Sequence, residues 1–316
     1  MKKIKLGISS CLLGQRVRYN GEHKLEPYLK YRLGKYINWR PVCPECEAGL
    51  PVPREAMELY GSFNAPRLLG VQTQTDYTHF IQQFITKRIA QLKEERLWGF
   101  VFKSKSPSCG LKGVSISSGC LLNYFKGEGL FAKAWRRLCP FLPLTDEKSL
   151  KDSLGRESFI IGLAVLADWQ KTLTLKKSAQ ALALFHRKHK LILQACDLKT
   201  WQVLHKLPRW AKSMARWPFY EAYQQKLLVA LKKGLAPERH QRVLSFIRNY
   251  LKRLLQPQER QRLTKTIKLY SQGKASLKDL SQLIKAYAQK YHRRWLLSQS
   301  YLKIPTQEWA QAWEIP

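Results

Sequence analysis

Three cysteines, Cys11, Cys43 and Cys109, lie far apart in the chain, and each follows a short apolar segment. Thiolates are soft ligands that suit zinc or iron–sulfur clusters. A structural zinc site usually has four ligands arranged in close pairs. Three cysteines on separate loops instead suit a cubane cluster that leaves one iron open. Spacing alone also leaves a plainer alternative, three unrelated buried thiols.

The segments before these cysteines have the composition of β-strands, at residues 4–8, 38–42 and 97–102. They alternate with apolar positions at helical spacing over residues 26–37 and 77–96. This alternation predicts an α/β domain with a largely parallel sheet. Ligands of such sheets bind in the crevice beyond the carboxyl ends of the strands. We therefore expect the three cysteines to converge on one site.

The chain holds seven cysteines in 316 residues, an odd number that argues against a disulfide framework. Cys43 and Cys46 form a single C-x-x-C pair, which also fits a redox dithiol, and Cys46 is a candidate fourth ligand. The remaining three are predicted to be packing residues: Cys120, Cys139 and Cys196.

Charge divides the chain unevenly. Residues 1–168 hold 26 Lys and Arg against 15 Asp and Glu, a net charge of +11. Residues 169–316 hold 30 against 7, a net charge of +23, and the two parts together give +34. The second part shows only helical periodicity and is predicted to be all-α. A part this basic repels itself, which indicates a polyanionic partner; the alternative is a generally basic, soluble surface.

These patterns predict three parts: an α/β domain over residues 1–152, a connecting helix and linker over 153–180, and a basic all-α domain over 181–316. With 45% hydrophobic residues the chain has material for buried cores and is not a disordered class. Its longest apolar run, residues 159–167, is too short to span a bilayer. Lys5 interrupts the apolar N-terminal stretch and no signal-peptidase site follows. We expect a cytoplasmic protein with no membrane segment.

Motifs around the cysteines are similar to those of the thiouracil desulfidase family, in the same order, over roughly residues 4–145. They are residues 10–14 (SCLLG), 17–21 (VRYNG), 42–45 (VCPE), 49–54 (GLPVPR) and 103–110 (KSKSPSCG). The basic part resembles the helical domain often fused to that family, at residues 185–190 (FHRKHK), 240–244 (HQRVL) and 301–302 (YL). The fused form resembles the tRNA 4-thiouridine desulfidases, in which this helical domain is associated with RNA binding.

This resemblance implies a 4Fe–4S cluster held by three cysteines, Cys11, Cys43 and Cys109, with the fourth iron open to the sulfur of a thiolated pyrimidine. Glu45 occupies the family's acid/base position and Ser106 its assisting polar position. The implied reaction is a hydrolysis that yields uridine and hydrosulfide without external electrons.

Both implied catalytic residues have plainer interpretations. Glu45 is alternatively a cap for a helix around residues 55–60, or an ion-pair partner of Arg54. Ser106 alternatively only shapes the turn at Pro107.

The implied partner is thiolated tRNA, and no protein partner is evident. Basic side chains bind phosphates and aromatic rings stack on unpaired bases. The candidate RNA-binding residues are Lys103, Lys105, Arg187, Lys188, Lys190, Arg209, Lys212, Arg216, Arg239, Arg242, Lys252 and Arg253.

Three other functions stay open on the sequence. The first is a desulfidase of free thiouracil, and the second is a non-catalytic RNA-binding protein with a structural metal site. The third is a thiol–disulfide oxidoreductase that uses Cys43 and Cys46.

Overall fold

The structure is a computed structural model that describes residues 4–303, except for 96, 119–123, 141, 176–177, 211–215 and 236. The chain divides after Asp152 into two compact units. We call residues 4–152 the α/β unit and residues 153–303 the helical unit.

Two four-stranded sheets form the framework of the α/β unit. In the first sheet the order is β2-β1-β5-β8 and every neighbouring pair is parallel; in the second it is β4-β3-β6-β7, with only the β3–β6 pair parallel. The strands are β1 (Ile4–Ser9), β2 (Ile37–Val42), β3 (Met57–Gly61), β4 (Pro66–Gly70), β5 (Phe100–Phe102), β6 (Val114–Ser117), β7 (Tyr124–Gly127) and β8 (Leu144–Asp146).

Register aligns the ends of the three strands that precede the cysteines. Ser9 of β1 lies opposite Val42 of β2, and Ile8 lies opposite Val101 of β5. The carboxyl ends of these parallel strands therefore open at one edge of the sheet.

The described residues of the α/β unit also form three α-helices: α1 (Pro44–Glu47), α2 (Thr78–Glu94) and α3 (Leu130–Leu138). Helix α2 buries Ile81, Ile85, Ile89 and Leu92, which share one face because helical neighbours recur every three to four residues. Aromatic side chains fill the rest of the core: Phe100 stacks on Phe102, and its ring contacts Phe131 edge-on and Trp135 at a tilt.

The predicted parallel α/β sheet is confirmed, but two predicted helices differ in the structure. Residues 26–37 contain helical turns that are not α-helical. Residues 28–35 form a π-helical turn followed by a 3₁₀ turn, because Leu29 is the one buried side chain there and gives an α-helix too little apolar surface to pack. Residues 55–60 form no helix, since β3 begins at Met57. The third predicted strand is shorter than expected and covers 100–102 rather than 97–102.

The helical unit contains no strand among its described residues, and its predicted all-α class is confirmed. Ile161, Val165 and Trp169 of its first helix lie in the common core. No described helix of the chain is both long enough and apolar enough to cross a bilayer. The helices are α4 (Ser153–Leu175), α5 (Ala179–Lys188), α6 (Lys190–Cys196), α7 (Leu198–Trp210), α8 (Arg216–Lys233), α9 (Pro237–Leu251), α10 (Pro257–Ser271), α11 (Leu277–Lys290) and α12 (Arg294–Ser298).

Candidate active site

A cavity of about 360 Å³ lies at the carboxyl edge of the parallel sheet. Its walls include Cys11, Cys43 and Cys109 together with Glu45 and Ser106. The topology thus brings together five residues that the sequence places up to 98 positions apart (11 to 109).

Local backbone structure fixes Cys11 and Cys43. Cys11 lies in a 3₁₀ turn directly after β1, and its carbonyl accepts N–H bonds from Gly14 at 3.2 Å and Lys24 at 3.0 Å. Gly14 closes that turn at φ +91°, a conformation that disfavours residues with a Cβ. Cys43 directly precedes α1, whose first residue, Pro44, needs no N–H partner there.

Burial governs the thiol chemistry of the cavity. It raises the pKa of Cys11 to about 11, against the opposing charge of Lys103, and holds the pKa of Cys43 and Cys109 well above the ordinary thiol value. Without a bound cation these thiols are neutral at pH 7. The positive charge of a metal would stabilise them as thiolate ligands.

The donor set fits an iron–sulfur cluster. Among the described residues no three His, Cys, Asp or Glu side chains are placed to hold a single metal ion. Cys thiolates bind iron–sulfur clusters through separate iron atoms, and the three thiols that line this cavity are ligands of that type. Cys46 is absent from the cavity wall, and its Sγ lies 3.2 Å from the carbonyl of Val17 and 3.5 Å from Arg54 Nη1.

Glu45 is held in place from both sides. Its Oε2 accepts bonds from Nε of Arg54, at 3.1 Å, and from Nη2 of the same guanidinium. Its Oε1 accepts the hydroxyl of Ser108 at 2.7 Å. Burial alone would lower the pKa of Arg54, but the carboxylate beside it raises that pKa above its ordinary value. The ion pair anticipated as the plainer interpretation of Glu45 therefore exists, and it lies at the cavity.

The Ser106 hydroxyl stabilises its own turn as an acceptor and has a hydrogen available to donate. Its Oγ accepts the backbone N–H groups of Ser108, at 3.3 Å, and Cys109, at 3.1 Å. A hydroxyl can accept two hydrogen bonds and donate one. Both acceptor positions of Ser106 are used, and no described group accepts the bond that its O–H can donate. The neighbouring Lys105 adopts φ +60°, a conformation uncommon outside glycine and enriched at functional sites.

Lys103 lines the cavity but is committed to an internal network. Its ammonium lies 2.6 Å from Oε1 of Glu147. The same carboxylate accepts the Ser104 backbone N–H at 2.7 Å and the Ser104 hydroxyl at 2.6 Å. This network fixes the loop between β5 and Cys109, and a role for Lys103 in RNA binding stays a prediction.

The comparisons with known proteins agree with this site. A family model described as 2-thiouracil desulfurase matches residues 6–147, which include all five predicted site residues. The uncharacterized protein YbbK of Bacillus subtilis is 30% identical over 111 residues, 33% of this chain and 71% of that protein. The chain belongs to the 2-thiouracil desulfurase family. The resemblance drawn from the motifs is confirmed.

Other matches cover different shares of this desulfurase-family chain. The uncharacterized protein YbgA of Escherichia coli is 27% identical over 128 residues, 39% of this chain and 74% of its own. A model described as a protein of unknown function (DUF1722) matches residues 190–305, within the helical unit. A solved structure of a 4Fe–4S-dependent thiouracil desulfidase, TudS, is 29% identical and covers 47% of this chain and 94% of its own, with a TM-score of 0.40.

The candidate RNA-binding residues of the helical unit differ in their surroundings. Lys188 forms an ion pair with Asp168, and Arg239 donates to the carbonyls of Cys196 and Lys233. Lys212 and the side chains of Arg209 and Arg216 lie outside the described residues. Four others are exposed and form no ion pair with a described carboxylate: Arg187, Arg242, Lys252 and Arg253.

Sequence reasoning missed two residues of this site, Ser108 and Glu147. Ser108 is fully buried yet directs its hydroxyl to Glu45 across 63 positions of sequence. Glu147 follows the last strand of the parallel sheet, and that position was the available signal, because residues just beyond such strands face the ligand crevice.

Proposed function

We propose that this protein removes sulfur from 4-thiouridine in tRNA, using a 4Fe–4S cluster bound by Cys11, Cys43 and Cys109 with one iron open. The observation that carries the proposal is the meeting of three cysteines and a doubly anchored carboxylate in one cavity. When bound, the cluster would supply a soft Lewis acid for the departing sulfur. The net reaction converts C=S and water into C=O and hydrogen sulfide, so no external electrons are needed.

Glu45 acts as the base toward water in this proposal. Arg54 and Ser108 occupy three of the roughly four acceptor positions of a carboxylate. One acceptor position stays available for a water proton, and the two partners keep it aimed consistently. The proton taken from water then passes to the departing sulfur as the tetrahedral adduct collapses, so that C=S and water give C=O and hydrogen sulfide.

Ser106 acts as a hydrogen-bond donor rather than as a base. Both of its acceptor positions receive backbone N–H groups of the loop that carries Cys109. Its proton is therefore directed to the substrate, where it stabilises charge that develops during water attack.

The helical unit supports a polyanionic substrate. Residues 153–316 hold 31 Lys and Arg against 9 Asp and Glu, a net charge of +22. Phosphate contacts would retain a folded tRNA while the thiolated base leaves its stack, which costs a few kcal/mol. Free thiouracil has no phosphate and gains nothing from these cations.

The test uses full-length protein purified without oxygen, with iron and sulfide quantified. We expect hydrogen sulfide from 4-thiouridine-containing tRNA, with kcat/KM well above the value for free 4-thiouracil. Glu45→Gln should lower turnover by about 10²–10⁴-fold while iron content and tRNA binding stay unchanged. Cys46→Ser is the matched control and should remain active.

Three results would each contradict this proposal in a different way. Equal efficiency on free thiouracil would favour the free-base desulfidase. No sulfide release by wild type or Glu45→Gln, with tRNA binding retained in both, would favour a non-catalytic RNA-binding protein. An inactive Cys46→Ser protein with intact iron would favour a dithiol oxidoreductase.

A further inference from the structure

Lys190 of the helical unit is surrounded by aromatic rings instead of carboxylates. Its ammonium lies 4.7 Å from the ring centroid of Phe246, 5.3 Å from that of Trp295 and 5.8 Å from that of Trp201. Burial against these rings lowers the pKa of Lys190. No described carboxylate forms an ion pair with it, so a cation is held at a partly desolvated position without an anion.

The described acidic side chains nearest in sequence to Lys190 are engaged elsewhere. Asp168 pairs with Lys188 and His189, and Asp197 pairs with Lys233. Lys190 therefore has no ion-pair partner among the described carboxylates, and its ammonium is available to the anion of a ligand.

Phe246, Tyr250 and Trp295 form what we call the aromatic platform. Phe246 and Tyr250 lie one turn apart on α9 with ring planes only 20° apart, and they are 37% and 38% exposed. Trp295 braces both, with centroids 6.1 Å from Phe246 and 5.2 Å from Tyr250. The platform presents two adjacent, similarly oriented rings to solvent, an arrangement suited to stacking a flat group.

Charge around the aromatic platform favours a nucleotide over an apolar partner. Arg242 lies four residues before Phe246 on α9, and Arg253 lies three residues after Tyr250. Both are exposed, and neither pairs with a described carboxylate. Residues four apart share a face of a helix, so Arg242 lies on the same face of α9 as Phe246. A ring beside an unpaired cation complements a base joined to a phosphate.

We propose that the aromatic platform binds an unpaired nucleotide of RNA, with its base on Phe246 and Tyr250 and its phosphate at the Lys190 ammonium. This inference rests on the proposed function and adds the kind of RNA that is recognised. Bases in a duplex keep their faces stacked on each other, so the platform selects loops or single strands.

The test compares two RNAs with full-length protein, by fluorescence anisotropy at fixed salt. One probe is a labelled single-stranded oligouridylate of about ten nucleotides, and the other is an RNA duplex of equal length. The double variant Phe246→Leu/Tyr250→Leu should bind the single strand about 10–100-fold more weakly and the duplex within twofold of wild type. Phe80→Leu, at a 45% exposed ring of the α/β unit, is the matched control and should change neither.

The variant Lys190→Gln tests the phosphate contact independently, through the salt dependence of RNA binding. Removing one phosphate contact should lower the slope of log K against log salt by about 0.7 for the single strand. The inference is overturned by an unchanged slope, or by a double variant that binds single strand as tightly as wild type or loses both RNAs equally. If wild type releases sulfide from thiolated tRNA and the double variant keeps its single-strand affinity, this inference fails alone. If wild type binds neither RNA and also releases no sulfide from thiolated tRNA, the proposed function fails with it.

Discussion

The α/β unit and the helical unit use basic residues in different ways. At the cavity of the α/β unit, Arg54 pairs with Glu45 and Lys103 with Glu147, and both pairs are largely screened from solvent. In the helical unit Arg242 and Arg253 are exposed without a described carboxylate partner. The first kind of cation orients groups inside the protein, and the second kind is available to another molecule. This division predicts that chemistry and substrate retention can be damaged separately.

The largest effect should follow Cys109→Ser. Cys109 is buried and lines the cavity, and a hydroxyl is a harder and far less acidic ligand than a thiol. We expect iron content and desulfidation to fall to background, whereas tRNA affinity stays within about twofold because the helical unit is untouched. Iron quantification measures the loss of iron, and fluorescence anisotropy measures the affinity for tRNA. Cys139→Ser, at a buried thiol outside the cavity, is the control and should retain iron.

Arg54→Gln should produce the next largest effect. The variant keeps hydrogen-bond donors but removes the charge that anchors Glu45, so kcat should fall by about 10²-fold while KM for tRNA changes little. Arg54→Lys should recover part of the loss, since it restores charge without the two-pronged geometry. Arg40→Gln breaks the pair with Glu95, outside the cavity wall, and serves as the control. A rise in KM with unchanged kcat would contradict the positioning role.

A charge-neutralising triple variant should affect affinity instead. Arg242→Gln, Lys252→Gln and Arg253→Gln together remove up to three phosphate contacts. The slope of log K against log salt should fall by about 2–3, and kcat/KM for tRNA should drop with kcat preserved. The same change at three exposed lysines of the α/β unit is the matched control, made at Lys87, Lys112 and Lys126. Equal losses of tRNA affinity in both triple variants would contradict the assignment of RNA binding to the helical unit.

The smallest effect concerns the pH dependence of stability in the helical unit. Burial lowers the pKa of His186 and of His240 from 6.5 to about 4. The unfolded chain therefore binds more protons between pH 6.5 and 4, and stability falls as pH drops through that window. For each histidine, the free energy of unfolding should be about 1 kcal/mol lower at pH 5.5 than at pH 7. The backbone amides of helix α9 should therefore exchange faster at pH 5.5.

Hydrogen exchange with mass spectrometry measures this helix by helix. His292→Asn, at an exposed position of the same unit, is the control and should leave the pH dependence unchanged. Equal protection of the helical unit's amides from exchange at pH 7 and 5.5 would contradict the prediction.

The sequence was most informative where structure is local. Each cysteine directly follows an apolar segment, so strand ends and ligand positions could be predicted together. The second sheet was not predicted, because its strands are short and residues 55–60, which overlap the strand Met57–Gly61, were interpreted as helical. Its stability comes from pairing with distant segments such as Val114–Ser117, which no local pattern reveals.

The same limit applies within the cavity. Arg54 was anticipated as a partner of Glu45 because the two are nine positions apart. The Ser108 contact joins separate loops, and Ser108 reads in sequence as one more turn residue beside Pro107. In the helical unit, periodicity predicted helices but not which aromatic side chains would surround Lys190, since its ring contacts come from α7, α9 and α12.

The alignment of β1, β2 and β5 at one level also makes the cavity depend on distant parts of the chain. Residues 11, 43 and 109 follow strands that are held at one edge by the pairing of Ser9 with Val42 and of Ile8 with Val101. A chain that ends before residue 100 lacks both β5 and the loop that carries Cys109. A group held by all three cysteines would therefore require the α/β unit beyond β5, and a truncation before that strand would remove one of its ligands.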